Sequence, residues 1–241
     1  MTKVLVNFIQ DRSGSMQSVW QETLSGFRVF VNNLRQKGPQ EGVEYLFSLT
    51  TFDTLVETPV IAQPIASVDP DILAKHGPRG STALYDAVGI TIQNTDEHRH
   101  DAEKIIVVVV TDGHENSSRE WTKDRLHSAV DAKLNAGNWT FTYLGTQPET
   151  WDDAQAFGVS RGSTGSYRPG MSVPAYAAVA GSVHRLSSSR LSSSRDLIRD
   201  FLSNEEAAAA GMKKEPEPKE PEKSEETAPP EPKASSKSHW R

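Results

Sequence analysis

Five hard-oxygen side chains in this sequence have the types and spacing to hold a divalent cation. They are Asp11, Ser13 and Ser15 in "DRSGSM", Thr82 in "GST" and Asp112 in "TDG". Mg²⁺ takes six oxygens at about 2.0–2.1 Å in near-octahedral geometry and keeps several of them as water. Ser13 and Ser15 are candidates for direct hydroxyl ligands, and Thr82 for a third, directly or through water. Asp11 and Asp112 supply charge, either as ligands or by holding the waters. Two carboxylates about neutralise the dication. If the protein ligands in contact with it are neutral hydroxyls, the ion stays electrophilic towards one more anionic oxygen, such as an Asp or Glu of a protein partner.

Each piece also has a plainer reading. "DRSGS" alone is a turn with Ser15 capping a helix, and Ser81 or Thr82 is available as the cap of the helix that follows them. "TDG" after a strand is an ordinary turn, with Gly113 at positive φ. His114 and Glu115 adjoin Asp112 and read as a ligand contact, an acid and base, or a solvated loop. Arg12 and Arg79 fall near the same rim, where they would steer an acidic partner or simply be exposed. Asp86, one turn after Thr82, is either a support for the site or a helical surface acid. Trp20 and Trp121 read as packing residues. The conjunction favours the metal reading, because three motifs in order each fall at an expected strand end or helix start.

The elements that must position them follow from hydrophobic periodicity. "KVLVNFI" (3–9) reads as a strand, and "MQSVWQETLSGFRVFVNNLRQK" has apolar residues at helical spacing. "VEYLFSLTTF" and "TLVETPVI" read as a hairpin turning at Asp53. A helix over 81–98 precedes "KIIVVVVTDG", whose unbroken β-branched run marks a strand covered on both faces. A helix ending at Gly137, the strand "NWTFTYLG", a short helix at 150–159, a Gly/Ser-rich loop at 160–170 and a last helix from Val173 towards Leu202 complete the pattern. The alternation predicts an α/β doubly wound, Rossmann-like sheet, mostly parallel with one antiparallel edge strand and helices on both faces. In such a sheet ligands bind beyond the carboxyl ends of the strands, where Asp11, Thr82 and Asp112 all fall.

The 241 residues, 36% hydrophobic, suffice for one sizeable core. The domain is expected over 1–203. From 204 the sequence is dense in Glu, Lys, Pro and Ser and is expected to be disordered. The net charge of −6 offers no global basic surface for nucleic acid or anionic lipid. No apolar run approaches the ~20 residues needed to span a bilayer, and the N-terminus lacks the h-region of a signal peptide. With no cysteine for disulfides or thiolate ligands, a cytoplasmic location is expected. The near-duplicated "RLSSSRLSSSR" at 185–195 is too short for an architectural repeat.

"DRSGSM", Thr82 of "GST" and Asp112 of "TDG" resemble the three parts of the metal-ion-dependent adhesion site (MIDAS) of von Willebrand factor type A (vWA) domains. The resemblance covers residues 2 to 190 and is to the intracellular bacterial or phage branch. It implies a central sheet with one antiparallel edge strand, binding of Mg²⁺ or Mn²⁺, and metal-mediated protein–protein contact. The competing class is a metal-dependent hydrolase, such as a phosphatase of the haloacid dehalogenase type. That chemistry needs a second carboxylate two residues after the first, where this chain has Ser13. The sequence also lacks a P-loop and a G-x-S-x-G elbow.

Overall fold

The computed structural model describes residues 1–99, 101–146, 151–189 and 201–214. Strand β1 (Thr2–Asp11) is buried at every residue from Val4 to Asp11. A strand covered on both faces belongs inside a sheet, and β1 lies between β2 (Val43–Phe52) and β4 (Lys104–Thr111), parallel to both. β5 (Trp139–Gly145) and β6 (Thr164–Ser166) extend the sheet in parallel. β3 (Val56–Pro64) closes one edge antiparallel to β2, as the hairpin pattern predicts. The order is β3-β2-β1-β4-β5-β6-β7, where β7 (Lys213–Lys214) is a second, two-residue antiparallel edge.

Among the described residues the α-helices are α1 (Trp20–Gln40), α2 (Leu84–His98), α3 (Lys123–Asn135), α4 (Trp151–Ala156), α5 (Ser172–Ser188) and α6 (Asn204–Ala209). They cover both faces because side chains alternate along each strand. Val4, Val6 and Phe8 point into a core with Phe27, Phe30 and Leu34 of α1 and Tyr176, Val179 and Val183 of α5. Leu5 and Ile9 point the other way, with Leu84, Val88 and Ile92 of α2 and Leu126 and Val130 of α3. Phe8 lies at the centre of the first core, its ring centroid 4.8 Å from Phe30, 5.4 Å from Phe27 and 5.7 Å from Tyr176. The sheet is therefore doubly wound. Among the described residues no helix is long and apolar enough to cross a membrane.

The register brings the functional candidates to one edge. Asp11 pairs with Phe52 at the end of β2, Gln10 with Val110, and Thr111 with Gly145. The carboxyl ends of β1, β2, β4 and β5 are thus level.

Three expectations change. The stretch at 160–170, read as loop, contains β6. Helix α5 ends at Ser188, followed by extended Ser189, and its expected run towards Leu202 crosses 190–200, outside the described residues. The chain does not leave the domain at 203. Phe201 and Leu202 are fully buried, α6 starts with a capping box between Ser203 and Glu206, and Ala207, Ala210 and Met212 are buried before β7 joins the sheet. Small apolar residues suffice here because they fill space beside α5, a context that composition cannot register. The rest of the expected disordered tail, 215–241, lies outside the described residues.

Phe8→Ala is expected to lower stability by about 3–5 kcal/mol, the range for truncating a fully buried aromatic. Urea denaturation with an unchanged m-value checks it.

Candidate metal centre

Asp11 ends β1 and is 0% exposed. Its Oδ1 accepts from the Ser13 backbone N–H at 2.6 Å and its Oδ2 from the Thr111 hydroxyl at 2.5 Å. The chain then turns so that Ser13 Oγ and Ser15 Oγ stand 2.9 Å apart, and Ser15 Oγ donates to Asp112 Oδ1 at 2.6 Å. Thr82 arrives from the loop before α2. A Cβ added to Gly113 would lie 2.9 Å from Thr82 Oγ1 and 3.5 Å from Ser15 Oγ, so both hydroxyls border the same small space. All five predicted residues are brought together, with Ser15 exposed and Asp112 half-buried on the outward side.

Two roles assigned to turns and caps do not occur. α2 begins at Leu84 with Ala83 before it and no side-chain cap, so the Thr82 hydroxyl is not spent on the helix. Gly113 does not take a positive φ. Glycine is needed there because a Cβ would crowd the Thr82 oxygen.

The donor set suits a small hard cation. Adjacent ligands of an octahedral ion with bonds of about 2.0–2.1 Å stand about 2.9 Å from one another. The Ser13–Ser15 separation matches that edge, and the Ser15–Asp112 contact is slightly tighter. Among the described residues no three His, Asp or Glu side chains group as a metal site, so a cation at this edge must rely on hydroxyls. Burial pushes the Asp11 carboxyl up to about 6, against the hydrogen bonds from Thr111 and Ser13, and the neighbouring Asp112 adds to the rise. Burial raises Asp112 as well, with the Ser15 hydrogen bond opposing. Among the described residues neither carboxylate has an ion-pair partner.

Arg12 lies between Asp11 and Ser13 in sequence yet turns away from them. Its side chain is only 4% exposed, with Nε 3.1 Å from Asp53 Oδ2, one terminal nitrogen against Glu57 and the other 3.1 Å from His76 Nδ1. Arg79 Nε reaches the same Asp53 oxygen at 2.7 Å. Arg12 therefore does not steer a partner. It braces the 76–83 loop, whose Arg79 N–H donates to the Arg12 carbonyl and whose Ala83 N–H donates to the Asp53 carbonyl. Gly80, at φ +67, lets the same loop come close enough for its carbonyl to accept from Gly14 N–H, between the two serines.

Other neighbours act as pins. Glu115 ties its loop to α2: its Oε1 accepts from the N–H groups of Ser117 and Ser118, and its Oε2 from Tyr85 N–H and the Ser118 hydroxyl. Asp86 is not a surface acid but is buried, accepting from the N–H groups of Arg119, Glu120 and Trp121. His114 is exposed and pairs with Asp153 of α4 at 2.9 Å. Trp20 and Trp121 are buried as packing residues. Asn116, which its sequence context does not single out, holds the Thr82 backbone with its side chain. Its local signal is only one more polar residue in the run "HENSS".

No protein-family model and no curated protein sequence matches this chain. Among solved structures it is similar to a von Willebrand factor type A structure from Catenulispora acidiphila, with a TM-score of 0.55 and 16% identity over 78% of this chain and 42% of that one. It is also similar to the pilus adhesin SpaC of Lactobacillus rhamnosus GG in its open conformation, with a TM-score of 0.60 and 12% identity over 78% and 30%. Manganese-loaded TRAP protein of Plasmodium vivax is a third, with a TM-score of 0.50 and 17% identity over 73% of each chain. The chain spans less than half the length of the first two. At these identities the likeness shows the fold, which is vWA-like.

Two outcomes are expected. Asp11 titrates near 6 in the fold instead of at its ordinary 3.8, so its contribution to stability is fully present below about 3.8 and is lost as pH rises through about 6. A cation would offset that loss. Thermal melts should show a larger stabilisation by millimolar Mg²⁺ at pH 7.5 than at pH 5. Gly113→Ala, which presses on the Thr82 hydroxyl, should weaken Mg²⁺ binding about 10-fold or more in calorimetric titration while leaving the metal-free melting temperature close to that of the parent.

Proposed function

We propose that this chain is a divalent-cation-dependent protein-interaction module. Mg²⁺ or Mn²⁺ is held by the hydroxyls of Ser13, Ser15 and Thr82, with Asp11 and Asp112 supplying charge directly or through water. The outward side of the ion takes an Asp or Glu carboxylate from a protein partner. When bound, the metal supplies a Lewis-acidic centre, and this chain's own oxygens fix where it presents its free face. The observation that carries the reading is the Ser13–Ser15–Asp112 row of oxygens at near-octahedral spacing, backed by buried Asp11, which has no ion-pair partner among the described residues.

The reading draws support from the neighbours in fold. One is described as a pilus adhesin and another as manganese-loaded. A hydrolase acting through an aspartyl nucleophile is less well supported, because Asp11 is fully buried with both oxygens already accepting hydrogen bonds.

The test has two arms. Calorimetry should detect Mg²⁺ and Mn²⁺ binding to the parent and its loss, by about 10–100-fold or more, in Asp112→Ala, whose circular dichroism spectrum stays unchanged. Proteins captured from the native host by the parent should be released by EDTA and not captured by Asp112→Ala. Mg²⁺-dependent turnover of a phosphoester by purified protein, with nothing released on chelation, would instead establish the enzyme.

A further inference from the structure

The Thr82 hydroxyl reaches the candidate centre from a different part of the chain than Ser15 or Asp112, so something must set the distance between them. Asn116 sits four residues beyond Asp112 and holds the Thr82 backbone at both its N–H and its carbonyl. Its Oδ1 accepts from Thr82 N–H at 2.9 Å, and its own N–H donates to the Thr82 carbonyl at 3.0 Å. Ser117 N–H donates to the same carbonyl at 3.2 Å.

The segment that carries Asn116 is itself immobilised against α2. Glu115 joins Ser117 and Ser118 to Tyr85 N–H. Asp86 N–H donates to Ser118 Oγ at 3.0 Å, while the Asp86 carboxylate gathers three successive N–H groups from 119 to 121. The loop after Asp112 and the first turn of α2 thus form one hydrogen-bonded block. Within that block Asn116 is the residue whose side chain bonds directly to the Thr82 backbone.

We propose that Asn116 is the positioning residue that sets Thr82 Oγ1 against Ser15 and Asp112, and that it thereby tunes the centre to small octahedral cations over Ca²⁺. The proposal rests on the metal reading above. Mg²⁺ demands bonds of about 2.0–2.1 Å in a near-ideal octahedron, whereas Ca²⁺ accepts six to eight oxygens at about 2.3–2.6 Å in flexible arrangements. A rigid triangle of oxygens favours the first ion. Releasing the Thr82 N–H from the Asn116 side chain, with the two backbone bonds to the Thr82 carbonyl kept, loosens that triangle and leaves Ca²⁺ binding little changed. Asn116 is exposed and adds nothing to either core, so its substitution acts on the clamp and not on packing.

The experiment compares Mg²⁺ and Ca²⁺ affinities of the full chain by calorimetry for the parent, Asn116→Ala and Asn116→Asp, with melting temperatures in EDTA. Asn116→Ala should lose about 10–100-fold in Mg²⁺ affinity, the usual cost of removing an outer support, and less than about 3-fold for Ca²⁺. Asn116→Asp, which keeps an acceptor for Thr82 N–H, should hold the Mg²⁺/Ca²⁺ ratio near that of the parent. Equal losses for both ions, or an unchanged ratio in Asn116→Ala, would overturn the assignment while leaving the metal centre intact. Absence of Mg²⁺ binding by the parent would remove the centre and this role with it. Should Asn116→Ala fail to fold, hydrogen exchange of the Thr82 amide in the metal-free parent decides. Strong protection is expected, and exchange at the rate of an unstructured peptide refutes the clamp.

Discussion

Asp11 places a carboxylate at the end of an inner strand, out of contact with water and, among the described residues, without an ion-pair partner to offset its charge. An isolated buried charge of this kind is costly and either takes up a proton or finds a counter-ion. The hydrogen bonds from Ser13 N–H and the Thr111 hydroxyl lower the cost without removing it, which is why the carboxyl still titrates well above its ordinary range. The surrounding geometry can be understood as the consequence of keeping that charge in place. The turn after β1 wraps around it, β4 supplies Thr111 and Asp112, and the row of hydroxyls lies just outside.

The oxygens are held by two frames that meet at Thr82. On one side the buried Asp53, shared by Arg12 and Arg79, ties the 76–83 loop to the ends of β1 and β2. On the other, Asn116, Glu115 and Asp86 tie the first turn of α2 to the loop that follows Asp112. Breaking a buried ion pair by removing one partner leaves an uncompensated charge, so the first frame resists distortion. The second consists almost wholly of side-chain acceptors for backbone N–H groups, an arrangement that rigidifies a loop lacking regular secondary structure. Rigidity of this kind fixes the positions of hydroxyls that contribute little charge of their own.

The vWA-like fold is shared by solved structures only 12%, 16% and 17% identical to this chain. A fold of that breadth says where a site will be and little about what it engages. The carboxyl edge of a doubly wound sheet offers parting loops and helix N-termini whatever the sequence. The identity of the oxygens placed there belongs to this chain.

Local periodicity was enough to read the alternation of strand and helix, the central position of "KIIVVVV", the hairpin edge and the candidacy of Asp11, Ser13, Ser15, Thr82 and Asp112. Each of these depends on residues adjacent in sequence or on a strand ending where its apolar run ends. Tertiary structure decided the rest, because the interactions link positions tens of residues apart. Arg12 turns inward to Asp53 although its neighbours face the candidate centre. Gly113 is required for space and not for backbone conformation, and Asn116, Glu115 and Asp86 become pins because α2 happens to pass beside them. Phe201 to Lys214 join the domain because the surface beside α5 and the exposed edge of β6 accept them. Composition and spacing carry no record of which distant hydrogen-bond donor or cavity a side chain will meet, and at this site those meetings set the geometry.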